Sequence, residues 1–218
     1  MNRLDIIQSV IDRIKAKTYI EVGVEGGITF FPIKIKRKIA IDPKSQIAHL
    51  CDNITSQFFK MTSDTFFEEH SDVCIKNGID VAFIDGMHTY KQSLKDFNNC
   101  LQYLNNGGVI IIHDCSPTTK VSATIPIEKA EKMDGWNGLW CGNVWKTIIR
   151  LRSTQNDLNI FVVNEDYGVG VITRGKPEDM LNYSINDIDN MTYKDLDINR
   201  KEILNLKEFE YFDNLYNK

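Results

Sequence analysis

The stretch YIEVGVEGG, from Tyr19 to Gly27, begins as an apolar β-type run, meets an acid at Glu21 and ends in a glycine-rich turn. Glycine has no Cβ and tolerates positive φ, so such a turn lets backbone approach a ligand closely. The next apolar run, Lys38-Ile39-Ala40-Ile41, closes on Asp42. Nucleotide-binding folds place a ribose-binding carboxylate at about this spacing from the glycines. The two signals together point to a cofactor of the adenosine type.

The surrounding pattern alternates between strand and helix. Leu4, Ile7, Ile11 and Ile14 recur at helical spacing, which predicts an amphipathic helix over residues 3–16 that leads into the first strand. Strand-like runs follow at Tyr19 to Val22, Lys38 to Ile41, Phe58 to Met61, Ile79 to Ile84 and Val109 to His113, with room for helices between them. The clearest helix is expected from Thr89 to Leu104, where Leu94, Phe97, Leu101 and Leu104 form one stripe. Thr89 should cap its start and Gly107-Gly108 should end it. After Asp114 the periodicity lapses, and Ser116 to Asn137 is expected to be a mobile lid. Helical spacing resumes through Trp140, Val144, Trp145, Ile148 and Ile149. Two last strand runs, Asn159 to Val163 and Val169 to Thr173, are too close for a crossover helix and should pair antiparallel. From Lys176 onward the chain is polar, with helical signals near Tyr193 to Leu204 and Leu206 to Leu215.

The fold expected is therefore α/β and Rossmann-like over residues 1–175: a seven-stranded sheet of five parallel strands plus an antiparallel terminal pair, flanked by helices. Residues 176–218 should form a helical tail packed on the domain or on a partner copy. With 218 residues, 42% of them apolar, one substantial core suffices. A formal net charge of −4 leaves no basic footprint for nucleic acid or an anionic membrane. The five cysteines, Cys51, Cys74, Cys100, Cys115 and Cys141, are odd in number and contain no C-x-x-C pair. That argues against a disulfide framework or a zinc knuckle and favours a reducing, cytoplasmic setting. Apolar runs no longer than four residues imply neither a signal peptide nor a membrane span.

Four segments carry a resemblance: EVGVEGG after the first strand, IDP after the second, VAFIDGMHTY at the fourth and GGVIIIHDC at the fifth. Over residues 19–174 the chain resembles the class I S-adenosylmethionine-dependent methyltransferases, in particular the small-molecule group with an Asp-Gly-x-His signature, related to catechol-type and sugar O-methyltransferases. The resemblance implies that Glu21, Gly23, Gly26 and Gly27 pass under the methionine part of the cofactor, that Asp42 takes the ribose hydroxyls and that Ser63 and Asp64 lie at the adenine edge. A helix N-cap carboxylate is the lesser alternative for Asp42, and an ordinary helix cap explains Ser63 and Asp64 almost as well.

Open α/β sheets bind ligands beyond the carboxyl ends of their strands, which makes Asp85 a site residue in its own right. His88 is the candidate base for removing the acceptor's proton. In catechol-type relatives a lysine stands there. Asp114 and His113 end the neighbouring strand, so Asp85 and Asp114 should meet. Adjacent carboxylates repel unless a proton or cation lies between them. Mg²⁺ or another divalent ion held by Asp85, Asp114 and His113 is the expectation. Metal-binding relatives carry Asn or Asp where this chain has Cys115. Trp136, Trp140 and Trp145 could stack on an acceptor, although their spacing suits core packing. The resulting expectation is a cytoplasmic methyltransferase acting on a hydroxyl of a small molecule, a sugar or nucleotide-sugar related metabolite, with a homo-oligomer open. The alternatives are a non-catalytic adenosyl-ligand binder and a nicotinamide-dependent oxidoreductase.

Overall fold

The computed structural model describes residues 2–45, 47 and 55–217. Cys51 lies outside them. The first helix, α1 (Arg3–Ile14), begins at a capping box: the Asn2 side chain accepts from the Asp5 amide while the Asp5 carboxylate accepts from the Asn2 amide. It ends at Lys15 in the left-handed region, and the chain turns into β1 (Thr18–Val22). Then come β2 (Arg37–Ile41), β3 (Ser56–Phe59), α2 (Ser63–Glu69), the one-turn α3 (Asp72–Ile75) and β4 (Ile79–Ile84). The second half holds α4 (Tyr90–Gln102), β5 (Leu104–Ile112), α5 (Ile127–Ala130), α6 (Trp145–Thr154), β6 (Leu158–Val163) and β7 (Val169–Arg174). The tail adds α7 (Ile185–Asn190), α8 (Tyr193–Ile203), β8 (Leu206–Lys207) and α9 (Phe209–Tyr216).

The sheet order is β3-β2-β1-β4-β5-β7-β6-β8. From β3 to β5 all neighbours are parallel, and β7 pairs antiparallel with both β5 and β6. Strand order reverses between β1 and β4, the switch point at which such sheets bind ligands. Successive side chains enter opposite layers. On one face Ile20, Ile39, Ile84 and Ile110 pack with α4 and α6. On the other, Tyr19, Phe83, Val109 and Ile111 pack with α1 and α9.

Several boundaries differ from expectation, each for a local reason. The strand after β2 is Ser56–Phe59, earlier than Phe58 to Met61, because Lys38 to Ile41 of β2 pair with Ser56 to Phe59. Gly107 and Gly108 do not end α4, which stops at Gln102. They lie inside β5, where the pairing with β4 jumps from Ile79–Leu104 to Val81–Val109 and accommodates extra residues. Thr89 is the N-cap residue of α4 without a side-chain cap bond; Asn143 Oδ1 instead accepts the Tyr90 amide at 2.6 Å. The helix expected from Trp140 starts only at Trp145, because Gly142 adopts φ +60° and passes so close to the His88 carbonyl that a Cβ there would collide with it. Among the described residues the sheet has eight strands rather than seven. Leu206 and Lys207, read as helical, pair parallel with Val162 and Val163 of β6. The tail folds onto its own chain: α7 packs on α6, α9 packs on α1, and Ile188, Leu196, Ile203, Leu204 and Phe212 are buried.

Candidate active site

Gly23 leaves β1 with φ +84°, and a Cβ on it would lie 2.3 Å from the Asp85 carbonyl oxygen. Only glycine lets the two loops at the switch point touch in this way. The contact is fixed from both sides, by the Gly23 amide donating to Ile41 O and the Asp85 amide donating to Val22 O. Beside Gly26 nothing stands within 4 Å of an added Cβ, so the loop presents open backbone there. Asp42 is the clamp of this loop. Its Oδ2 accepts the Val24 and Glu25 amides at 2.9 Å each, and its Oδ1 accepts those of Lys44 and Ser45 at 2.7 and 2.8 Å. Burial alone would raise its pKa, but these amides outweigh it and hold the carboxyl below its usual value.

Glu21 lies beneath the loop, 1% exposed, and accepts the Tyr19 hydroxyl at 2.6 Å. Burial pushes its pKa up to about 8. Ser63 and Asp64 form the first turn of α2, behind the N-cap Thr62. Ser63 donates to Asp96 at 2.6 Å, and Asp64 pairs with Lys95 at 2.6 Å and accepts from Gln92 at 3.0 Å. Both serve the junction of α2 with α4.

The ends of β4 and β5 bring the charged residues together. His88 Nε2 is 3.4 Å from Asp85 Oδ1, and its Nδ1 is 3.1 Å from Asp114 Oδ2 and 2.7 Å from the Trp140 carbonyl. His113 Nδ1 lies 3.2 Å from Asp85 Oδ1 and 3.5 Å from Asp114 Oδ1. One donor atom each from Asp85, His113 and Asp114 fall within 4.8 Å of one another, a spacing that suits a divalent ion and matches its preference for oxygen and imidazole ligands. Cys115 stays out of this set: its thiol points into the core and donates to Ile112 O at 3.3 Å, and burial raises its pKa.

Electrostatics bind the cluster tightly. Burial would raise the Asp85 pKa, yet His113 and His88 hold it well below the carboxylate range. Burial opposes charge on both imidazoles, and the carboxylates win: Asp85 with Asp114 raises His88, and Asp85 with Asp114 and Asp166 raises His113.

Two members of the cluster carry no site role when read from the sequence: Arg3, and Asp166, which reads as part of the turn into the last strand. Asp166 Oδ1 is 3.6 Å from His113 Nε2, and Arg3 reaches Asp166 and Asp85 at 3.2 and 3.8 Å. Topology contains the signal for both. Because β7 runs antiparallel to β5, the β6–β7 turn must lie at the carboxyl end of β5. Because α1 returns directly into β1, its first turn must lie at that same end. Trp140 stacks on the His88 ring at 5.3 Å between centroids, whereas Trp145 is buried at the start of α6.

The fold has counterparts among known proteins. Residues 20–115 match the family model described as a methyltransferase domain. The fold is the Rossmann-like fold found in methyltransferases. A Staphylococcus aureus structure provisionally assigned as a caffeoyl-CoA O-methyltransferase superposes with a TM-score of 0.59 at 18% identity, covering 79% of this chain and 82% of that one. The S-adenosylhomocysteine-bound methyltransferase of Podospora anserina gives 0.58 at 12% identity, over 81% and 80% of the two chains. In sequence, a protein of Acanthamoeba polyphaga mimivirus described only as uncharacterized is 35% identical over 113 residues, which are 44% of this chain. The match spans 51% of that relative's length. Among the described residues no helix is long and apolar enough to cross a membrane.

Proposed function

We propose that the protein transfers the methyl group of S-adenosylmethionine to a hydroxyl of a small acceptor, a sugar, nucleotide-sugar or related metabolite. The observation that carries this reading is the convergence of Asp85, His88, His113 and Asp114 beside the glycine-rich loop at the switch point of the sheet. The loop from Gly23 to Gly27, with Glu21 beneath it and Asp42 clamping it, would receive the cofactor; Ser63 and Asp64 would back the adenine end through α2. When bound, the cofactor supplies a methyl group on a sulfonium, so the acceptor oxygen forms the new bond to carbon as the sulfur–carbon bond breaks. The chain's own residues align the acceptor and remove its proton. His88 takes that proton, and Asp85 and Asp114 stabilise the imidazolium that forms. Asp85, Asp114 and His113 would hold a divalent ion that orients the acceptor's oxygens. The density of charged hydrogen-bonding groups at this edge favours a hydroxyl-rich acceptor.

Calorimetry with S-adenosylhomocysteine, followed by radiolabelled methyl transfer to a panel of sugars and nucleotide-sugars with Mn²⁺, Mg²⁺ or excess EDTA, tests the reading. Binding and acceptor-dependent transfer are expected. Binding without transfer to any acceptor would leave a ligand-binding protein, and a preference for NAD would remove the methyltransferase assignment. Full transfer in EDTA, with metal shown absent by elemental analysis, would remove the metal.

A further inference from the structure

Arg3 belongs to no motif, yet it touches three parts of the proposed site. Its backbone amide donates to Asp166 Oδ2 at 2.8 Å, and its Nη1 lies 3.2 Å from the same oxygen. Its Nε donates to Thr29 Oγ1 at 3.1 Å and is 3.8 Å from Asp85 Oδ2. Thr29 is 6% exposed and stands two residues beyond Gly27, at the exit of the glycine-rich loop. One guanidinium therefore joins that loop, the acid of β4 and the turn between β6 and β7. Asp85, Asp114 and Asp166 crowd this edge, where arginine offers a permanent charge and donors in a fixed fork. A lysine carries its charge on a single nitrogen and lacks the two separated side-chain nitrogens that here reach Thr29 and Asp166.

We propose that Arg3 is a positioning residue of the active site: its fork couples the cofactor loop to the catalytic edge, and its charge offsets Asp85 and Asp166 there. The proposal rests on assigning the loop to S-adenosylmethionine and the edge to catalysis. Loss of a charge-assisted hydrogen bond of this kind corresponds to roughly a tenfold change or more in an equilibrium.

The test uses the full chain, S-adenosylhomocysteine and Mn²⁺ as probes, and variants R3A, R3K and T29V confirmed as folded by thermal melts. Arg3→Ala should weaken S-adenosylhomocysteine about tenfold and tighten Mn²⁺ severalfold, since a repelling charge leaves the neighbourhood of Asp85. Arg3→Lys should return Mn²⁺ affinity to the wild-type value without restoring S-adenosylhomocysteine affinity. Thr29→Val should weaken S-adenosylhomocysteine and leave Mn²⁺ unchanged. A merely structural Arg3 would weaken both ligands together and would not separate them in the lysine variant. Wild-type binding of S-adenosylhomocysteine with an affinity unchanged in R3A would overturn the coupling alone. Mn²⁺ affinity that is unchanged or weaker in R3A, or absent from the wild type, would overturn the charge role. No S-adenosylhomocysteine binding by the wild type would overturn the cofactor assignment and this inference with it.

Discussion

Glu21 shows how a motif residue can act through burial. Its folded pKa near 8, against an ordinary value of 4.5, means that the native state binds more protons than the unfolded chain between those two values. Its stabilising contribution is therefore complete below about pH 4.5 and is lost as pH rises toward 8. His88 and His113 are also raised and act in the same direction, so the informative quantity is a difference. Denaturant unfolding from pH 4.5 to 8 should show a flatter stability profile for Glu21→Gln than for the wild type; parallel profiles would refute the assignment. For His88, replacement by alanine should lower turnover about 10²- to 10⁴-fold, the usual worth of a positioned base, with S-adenosylhomocysteine affinity kept. Asp85, His88, His113 and Asp114 were legible in the sequence because adjacent parallel strands deliver their carboxyl ends to one place. What Asp42 does was not: an acid after β2 could be foreseen, but its saturation by four backbone amides depends on how two loops fold around it.

Among the elements, α4 illustrates help from a distance. Its first amide, that of Tyr90, is satisfied by Asn143, and the neighbouring Asn143 amide donates to the His88 carbonyl at 3.2 Å. Asn143→Ala should cost about 1 kcal/mol in unfolding free energy, on the scale of a lost N-cap, and should lower turnover by loosening the turn that carries His88. Unchanged stability would show that solvent replaces the cap. The parallel strands and α4 were readable from periodicity, while the cap was hidden because it comes from 53 residues away. The segment expected to be a lid is tied at several points. Cys141 and Gly142 amides donate to Ser122 O, the Trp140 indole donates to Thr124 O, and Tyr193 of α8 donates to Thr118 O. Hydrogen exchange should accordingly be slow at Cys141 and Gly142, which are the donors, and fast at exposed Lys120; uniform fast exchange from 116 to 142 would favour a lid that opens as a whole.

For the molecule as a whole, the tail is the largest departure from what periodicity conveyed. Its α7 and α8 cover one face, β8 extends the sheet beyond β6, and α9 returns to the opposite face beside α1. A polar, asparagine-rich stretch hides this because its apolar residues are few and widely spaced, and a two-residue strand carries no periodicity. Leu196 is fully buried, and Leu196→Ala should destabilise by about 2–5 kcal/mol. Denaturant melts can measure this, and a loss well below that range would mean that α8 is only loosely attached. Finally, the stacking of Trp140 on His88 gives the protein an optical reporter of its own. Indole emission responds to the charge and polarity around the ring, so the fluorescence of Trp140 should change when S-adenosylhomocysteine or a divalent ion reaches the edge. Trp145, sealed in the core, should stay constant, and a protein carrying both Trp136→Phe and Trp140→Phe, with Trp145 as its last indole, should be silent to both ligands.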